Sequence, residues 1–353
     1  MLIFDAHLDL ALNAVDWNRD LRMSVEAIRA QETTLGMTSP GRRFNTVTFP
    51  ELRKAGVGVG LATVLARLEP AIDHTFGHST PEACYAVASA HLAYYRAMER
   101  AGAMRMIRTR RDLLAHVEAW KTDAGPVPFG FILSMECADP ILEPDQIDEW
   151  YAFGLRAIGI THYGANRYGG GTNSEVGLAV DALPLLRRIE ELGIALDLTH
   201  LSDRAFRQVV DLFGGRVLAS HQNVRSLCDW QRQFTDDQIR HVIARDGVLG
   251  LAFDAIMLQP GWVRGVSKPV VTIKKALDHV DHICQLAGSA RHVGIGSDLD
   301  GGFGRDQTPV DLDTIADLRT IPDLLAGRNY ADADIRAFMH GNWLRFFGEV
   351  LPE

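Results

Sequence analysis

The sequence predicts an α/β protein, a (β/α)8 TIM barrel with insertions after strands 1 and 2. Three observations carry that expectation. Eight short, apolar, β-branched runs alternate with amphipathic stretches, and such alternation implies parallel βαβ units. The length of 353 residues accommodates eight such units with insertions. Nearly every run ends in a polar residue capable of chemistry, and the C-terminal ends of the strands are where a barrel carries its active site. An open, doubly wound sheet is the alternative topology.

The eight predicted strands are Leu2–His7, Val57–Val64, Phe129–Met135, Ala157–Thr161, Ile194–Leu198, Arg216–Ser220, Val248–Phe253 and His292–Ser297. Helical periodicity marks Ala83–Ala101, Asp181–Leu192, Asp203–Leu212, Thr235–Arg245 and Val271–Leu286. The longest gap runs from Asp9 to Gly56. A second, holding a long helix, separates Val64 from Phe129. Insertions of this kind cap a barrel or build its pocket. No repeat or linker divides the chain, so residues 1–353 are read as one barrel domain.

Composition excludes several classes. Hydrophobic residues make up 47% and charged residues 23%, with a formal charge of −9. An acidic chain without a basic run does not fit a nucleic-acid or anionic-membrane surface. No stretch is apolar for long enough to span a bilayer. The N-terminal residues, Met1 to Asp5, lack the basic and apolar regions of a signal peptide, which predicts a cytoplasmic protein. The 4 cysteines, Cys84, Cys137, Cys228 and Cys284, are scattered and read as free thiols.

The strand ends carry the chemistry. His7 and Asp9 are two residues apart, so in extended backbone they face the same way and can bind one cation. His200 and His221 also follow apolar strands, and imidazole is the commonest zinc ligand. Glu136 follows Ile132-Leu133-Ser134-Met135. A carboxylate there is costly unless it meets a cation. The reading is a two-metal site, with His7 and Asp9 on one ion, His200 and His221 on the other, and Glu136 bridging them. Two ions about 3.5–4 Å apart can share a hydroxide that attacks a carbonyl. Asp298 is assigned as the general base that later protonates the leaving amine. Asp300, two residues on, competes for that role. His162 is read as a donor to the developing oxyanion, or else as a partner of a metal ligand. Gly169-Gly170-Gly171 lacks the residues that would make it a phosphate loop. His279 and His282 read as a polar helix face, and His74 and His78 as loop or helix residues of the second insertion.

In this order, with Thr161-His162, Asp197-Leu198-Thr199-His200, Ser220-His221 and Gly296-Ser297-Asp298-Leu299-Asp300-Gly301, the motifs resemble the membrane (renal) dipeptidase family, within the amidohydrolase superfamily. The resemblance covers Phe4 to about Phe347 and points to a bacterial-type member without a membrane anchor. It implies two Zn2+ ions, hydrolysis of dipeptides including L-Xaa-D-Xaa, and a homodimer. Carried over by position, it implies His7, Asp9, Glu136, His200 and His221 as zinc ligands, His162 as the substrate-polarising histidine and Asp298 as the catalytic aspartate. It also implies that Arg232 holds the substrate carboxylate, which suits a guanidinium fork. Where the family often has a tyrosine near the substrate, this chain has Asp254, which suggests selection for a basic side chain or for the substrate amine. An N-acyl amino acid, lactam or cyclic-amide hydrolase is the alternative enzyme, and a non-catalytic metal-binding barrel the remote one.

Overall fold

The computed structural model describes residues 1–69, 77–122 and 127–353. His74 lies outside the described residues. Eight strands form the barrel: β1 Ile3–Leu8, β2 Val57–Leu65, β3 Phe129–Glu136, β4 Leu155–Gly159, β5 Ala195–Asp197, β6 Val217–Leu218, β7 Leu249–Leu251 and β8 Val293–Ile295. Every predicted strand is present. Apart from β6 and β7, each pairs in parallel with the next, and β8 returns to β1 through Asp5 and Ile295. A parallel bridge between Ala219 and Leu249 links β6 to β7 and completes the ring.

Every residue of β1, β2 and β3 is buried. That follows from a parallel barrel, in which one strand face packs inward and the other is covered by helices. The outer layer includes Trp343, Phe346 and Phe347 of the helix Asn342–Val350, which pack with Phe4. The Trp343 indole donates to Ile295 O at 2.9 Å. The helix Asp203–Leu212 begins where the sequence predicts, because Ser202 caps it by accepting from Ala205 N.

The hydrogen-bonded part of several strands is shorter than predicted. β8 ends at Ile295, so Ser297 and Asp298 stand in the loop beyond it. β4 likewise ends at Gly159, ahead of Thr161 and His162. Beyond these ends, backbone pairing is joined by side-chain bonds such as Ser297 N to the Asp5 carboxylate at 2.8 Å.

The first insertion carries a π-turn Leu12–Asp16 and the helices Val25–Thr34 and Phe49–Ala55. The second carries the helix Pro81–Arg100, a strand Met104–Met106 alongside β3, and the helix Arg110–Lys121. His78 lies in a two-residue strand, Gly77–His78, that pairs with Arg67–Leu68. His279 is a correction. It is buried rather than part of a polar face, and its Nδ1 accepts from Val224 N at 3.0 Å, while His282 pairs with Asp236. No described helix is long and apolar enough to cross a membrane. The described cysteines form no disulfide.

Candidate metal centre and active site

The C-terminal ends of the strands bring all the predicted groups to one cavity. Glu136, at the end of β3, is its centre. Its Oε1 lies 3.1 Å from His200 Nε2, 3.4 Å from His221 Nε2 and 3.6 Å from His162 Nε2. Its Oε2 lies 3.5 Å from His7 Nε2. His7 Nε2 is also 3.7 Å from Asp9 Oδ2 and 3.9 Å from Asp298 Oδ1. Three overlapping groups have ligand atoms close enough to share a cation: His7–Asp9–Glu136, Glu136–His162–His200 and His7–His221–Asp298.

Local backbone geometry aims these side chains. His200 and Asp298 adopt left-handed φ of 69° and 57°. Non-glycine residues rarely do so, and such strain concentrates at functional sites. The Asp197 carboxylate, at the end of β5, accepts from Thr199 N and Ser220 N, both at 3.0 Å, and ties the β5 and β6 ends together. Asp5 accepts from His7 N at 3.2 Å and Ser297 N at 2.8 Å, doing the same for β1 and β8. Gly296 is required for close approach, since a Cβ there would stand 1.7 Å from Ser220 O.

The donor set fits a cation. His200 shares a 2.9 Å hydrogen bond through Nδ1 with Thr172 Oγ1, and His221 one of 2.9 Å through Nδ1 with Ser220 Oγ. Both Nε2 atoms are thereby left facing the cluster, as metal-binding histidines are held. His7 Nε2 and Asp9 Oδ1 are buried without a hydrogen-bond partner, and such orphans are costly unless something else satisfies them. Burial, aided by the Arg232 charge, holds His200 well below the usual imidazole range. Burial and His7 do the same to His221. Neutral imidazole is the form that binds metal. Burial raises Glu136 and Asp298 against the opposing pull of His7. At His7 burial favours the neutral form, but Glu136 and Asp9 outweigh it and the net direction is up. Carboxyls pushed toward protonation beside the neutral imidazoles of His162, His200 and His221 are short of positive charge, which a divalent ion supplies.

Thr172 was not legible in the sequence. It follows the Gly169–Gly171 run, whose role is packing: a Cβ on Gly171 would lie 1.9 Å from His162 O. The bare backbone lets Thr172 N reach His162 O at 2.8 Å and its hydroxyl reach His200. Thr172→Val is expected to weaken metal binding about 10–100-fold, measured by competition with a chromophoric chelator.

Asp298 and Asp300 separate clearly. The Asp298 side chain lines the cavity. Asp300 faces the first insertion, where its carboxylate accepts from Thr46 N at 2.7 Å, Thr46 Oγ1 at 2.8 Å and Val47 N at 2.9 Å. Asp300→Ala would strand those buried donors. A loss of about 2–4 kcal/mol is expected, read by urea unfolding, and an unchanged midpoint would remove the anchoring role.

Arg232 is buried and lines the same cavity. Its Nη1 donates to Gln222 Oε1 at 2.6 Å and its Nη2 to His221 O at 2.9 Å. Both acceptors are neutral, and among the described residues no carboxylate lies within ion-pair distance. Asp254 also lines the cavity. Gln307 Nε2 donates to its two oxygens at 2.8 and 3.0 Å, and Ile256 N to one of them at 2.9 Å. Burial outweighs these bonds and pushes its carboxyl up to about 6. The folded value lies above an unfolded value of about 3.9. The contribution of Asp254 to stability is therefore full below about pH 4 and is lost as pH rises through about 6. Asp254→Asn is expected to remove that slope, worth about 3 kcal/mol, in unfolding measurements between pH 4 and 7.

Comparison with known proteins identifies the family. Residues 1–351 match the model of the membrane dipeptidase family, peptidase family M19. The chain belongs to this family. As a member of M19 it is a metal-dependent hydrolase. It is 28% identical over 216 residues to an uncharacterised protein in the pqqA 5′ region of Klebsiella pneumoniae, covering 59% of this chain and 77% of that protein. It is 28% identical over 215 residues to dipeptidase verJ of Clonostachys rogersoniana, covering 59% of this chain. That match takes in 51% of verJ, about half its length. In fold it is similar to a metallopeptidase from Rhodobacter sphaeroides solved with a phosphinate mimic of the dipeptide L-Ala-D-Ala. There the TM-score is 0.78 at 23% identity, over 99% of each chain.

Proposed function

We propose that this M19 enzyme is a zinc-dependent dipeptidase that cleaves L-Xaa-D-Xaa among its substrates. The observation that carries the reading is Arg232, a buried guanidinium without a carboxylate partner among the described residues, on the wall of the cavity that holds Glu136 and its four imidazoles. A free substrate carboxylate completes it, as a planar fork binds a carboxylate through two hydrogen bonds. The phosphinate dipeptide mimic bound by the Rhodobacter sphaeroides relative supports the same substrate class.

In this reading His7 and Asp9 would hold one zinc ion and His200 and His221 a second, with Glu136 a ligand shared between them. When bound, the ions polarise the scissile carbonyl and make water a nucleophile near neutral pH. Arg232 docks the terminal carboxylate and so sets which amide enters. His162 donates to the carbonyl oxygen as negative charge develops there. Asp298 accepts a proton from the attacking water and returns it to the departing nitrogen. Asp254 faces the substrate's free amine.

The deciding assay is amino-acid release by zinc-loaded protein from L-Ala-L-Ala, L-Ala-D-Ala and N-acetyl-alanine. Release from L-Ala-D-Ala with little from the N-acetyl compound is expected. Cleavage of the N-acetyl compound alone would move the assignment to an N-acyl amino acid hydrolase. With Asp254→Ala, discrimination between free and acetylated amines is expected to fall, and unchanged discrimination would release Asp254 from that role.

A further inference from the structure

The cavity at Glu136 is small, about 230 Å³. Beside it runs a groove of about 710 Å³ between the first insertion and the loops after β7 and β8. The two share Arg264 and Gln307. The groove has apolar walls at Phe44, Trp262 and Pro309, and its charged residues are Arg264, Lys268, Arg305, Asp306 and Asp313. Arg305 and Asp313 pair at 2.5 Å, and Asp313 is also held by Arg29. That leaves Arg264 and Lys268 against Asp306.

Arg264 stands at the junction. Its Nη2 donates to Gly302 O, in the loop that follows Asp298. This fixes the guanidinium while leaving most of its five donors unused. Among the described residues it makes no ion pair. Asp254 lines the cavity on the other side of this junction, and its oxygens accept from Gln307 and from Ile256 N. The junction therefore offers guanidinium donors not yet used, beside a carboxylate already hydrogen-bonded within the protein.

We propose that Arg264 is a specificity residue, and that the groove receives a carboxylate-bearing side chain of the substrate. The inference rests on the dipeptidase reading and adds the side-chain class. Arg264 binds the acidic side chain, Lys268 adds to the local positive field, and the apolar walls accept the methylenes. Asp254 then faces the amine rather than a basic side chain.

The test compares kcat/KM for dipeptides carrying Glu, Ala or Lys at one position and Ala at the other, each position in turn. It uses the zinc-loaded full chain and the variants Arg264→Gln and Arg264→Glu. In the native protein, Glu is expected to exceed Lys by about tenfold at one position, and by less at high salt, since the pair is solvent-facing. Arg264→Gln should abolish that ratio, chiefly through KM, and Arg264→Glu should invert it. A native ratio at or below one at both positions overturns the proposal, as does a ratio unchanged in both variants. Failure to cleave any dipeptide overturns the dipeptidase reading itself, whereas cleavage of the Ala dipeptide without a Glu preference overturns only this inference.

Discussion

Asp298→Asn is expected to lower kcat by about 10²–10⁴-fold, the usual contribution of a positioned proton-transfer group, with zinc content and fold retained. Asparagine suits the test because it tolerates the left-handed backbone found at this position, φ 57°. It keeps the shape and removes the basicity. The site around it leaves little room for rearrangement, since a Cβ on Gly301 would lie 2.0 Å from Asp298 Oδ1. Asp298 also lies within ligand distance of His7 and His221, so metal content must be measured alongside rate. A lost rate with full metal content assigns proton transfer. A lost rate with lost metal makes Asp298 a ligand and leaves the base to be found elsewhere.

Removing Glu136 should have a still wider effect. One carboxylate lies between 3.1 and 3.6 Å from four imidazoles, so its two oxygens reach both halves of the cluster. Glu136→Ala is expected to release at least one ion and to cut activity by about 10³-fold or more, because metal assistance supplies several kcal/mol of transition-state stabilisation. Metal analysis by atomic emission together with dipeptide turnover checks it. A variant that kept two ions and normal turnover would end the bridging assignment.

Much of this centre was legible because the chemistry sits at the ends of apolar runs. Ile132-Leu133-Ser134-Met135 leading to Glu136 marks a carboxylate at the edge of a buried strand, and the same signal finds His7, His200 and His221. The partners that hold these ligands gave no such signal. Thr172 lies 28 residues from His200 in a loop with no periodicity, and Ser220 is an ordinary residue beside a histidine. Gln307 and Arg264, which set the mouth of the cavity, lie on loops whose course depends on packing. His279 shows the opposite failure. Its helical spacing suggested solvent, but the barrel loop carrying Val224 covers it and turns it into a buried acceptor.

The sequence by itself determined the barrel class, the order of its eight strands and the identity of the side chains at their ends. Burial periodicity and the cost of a polar group after an apolar strand are local properties. Tertiary structure alone decided what those side chains meet. It separated Asp298 from Asp300, two residues apart, by sending one into the cavity and engaging the other with Thr46 and Val47 of the first insertion, more than 250 residues away. It left Arg232 buried without an ion-pair partner among the described residues and set Arg264 between the cavity and the groove. Those outcomes depend on contacts between distant segments, and they exist only once the barrel has closed.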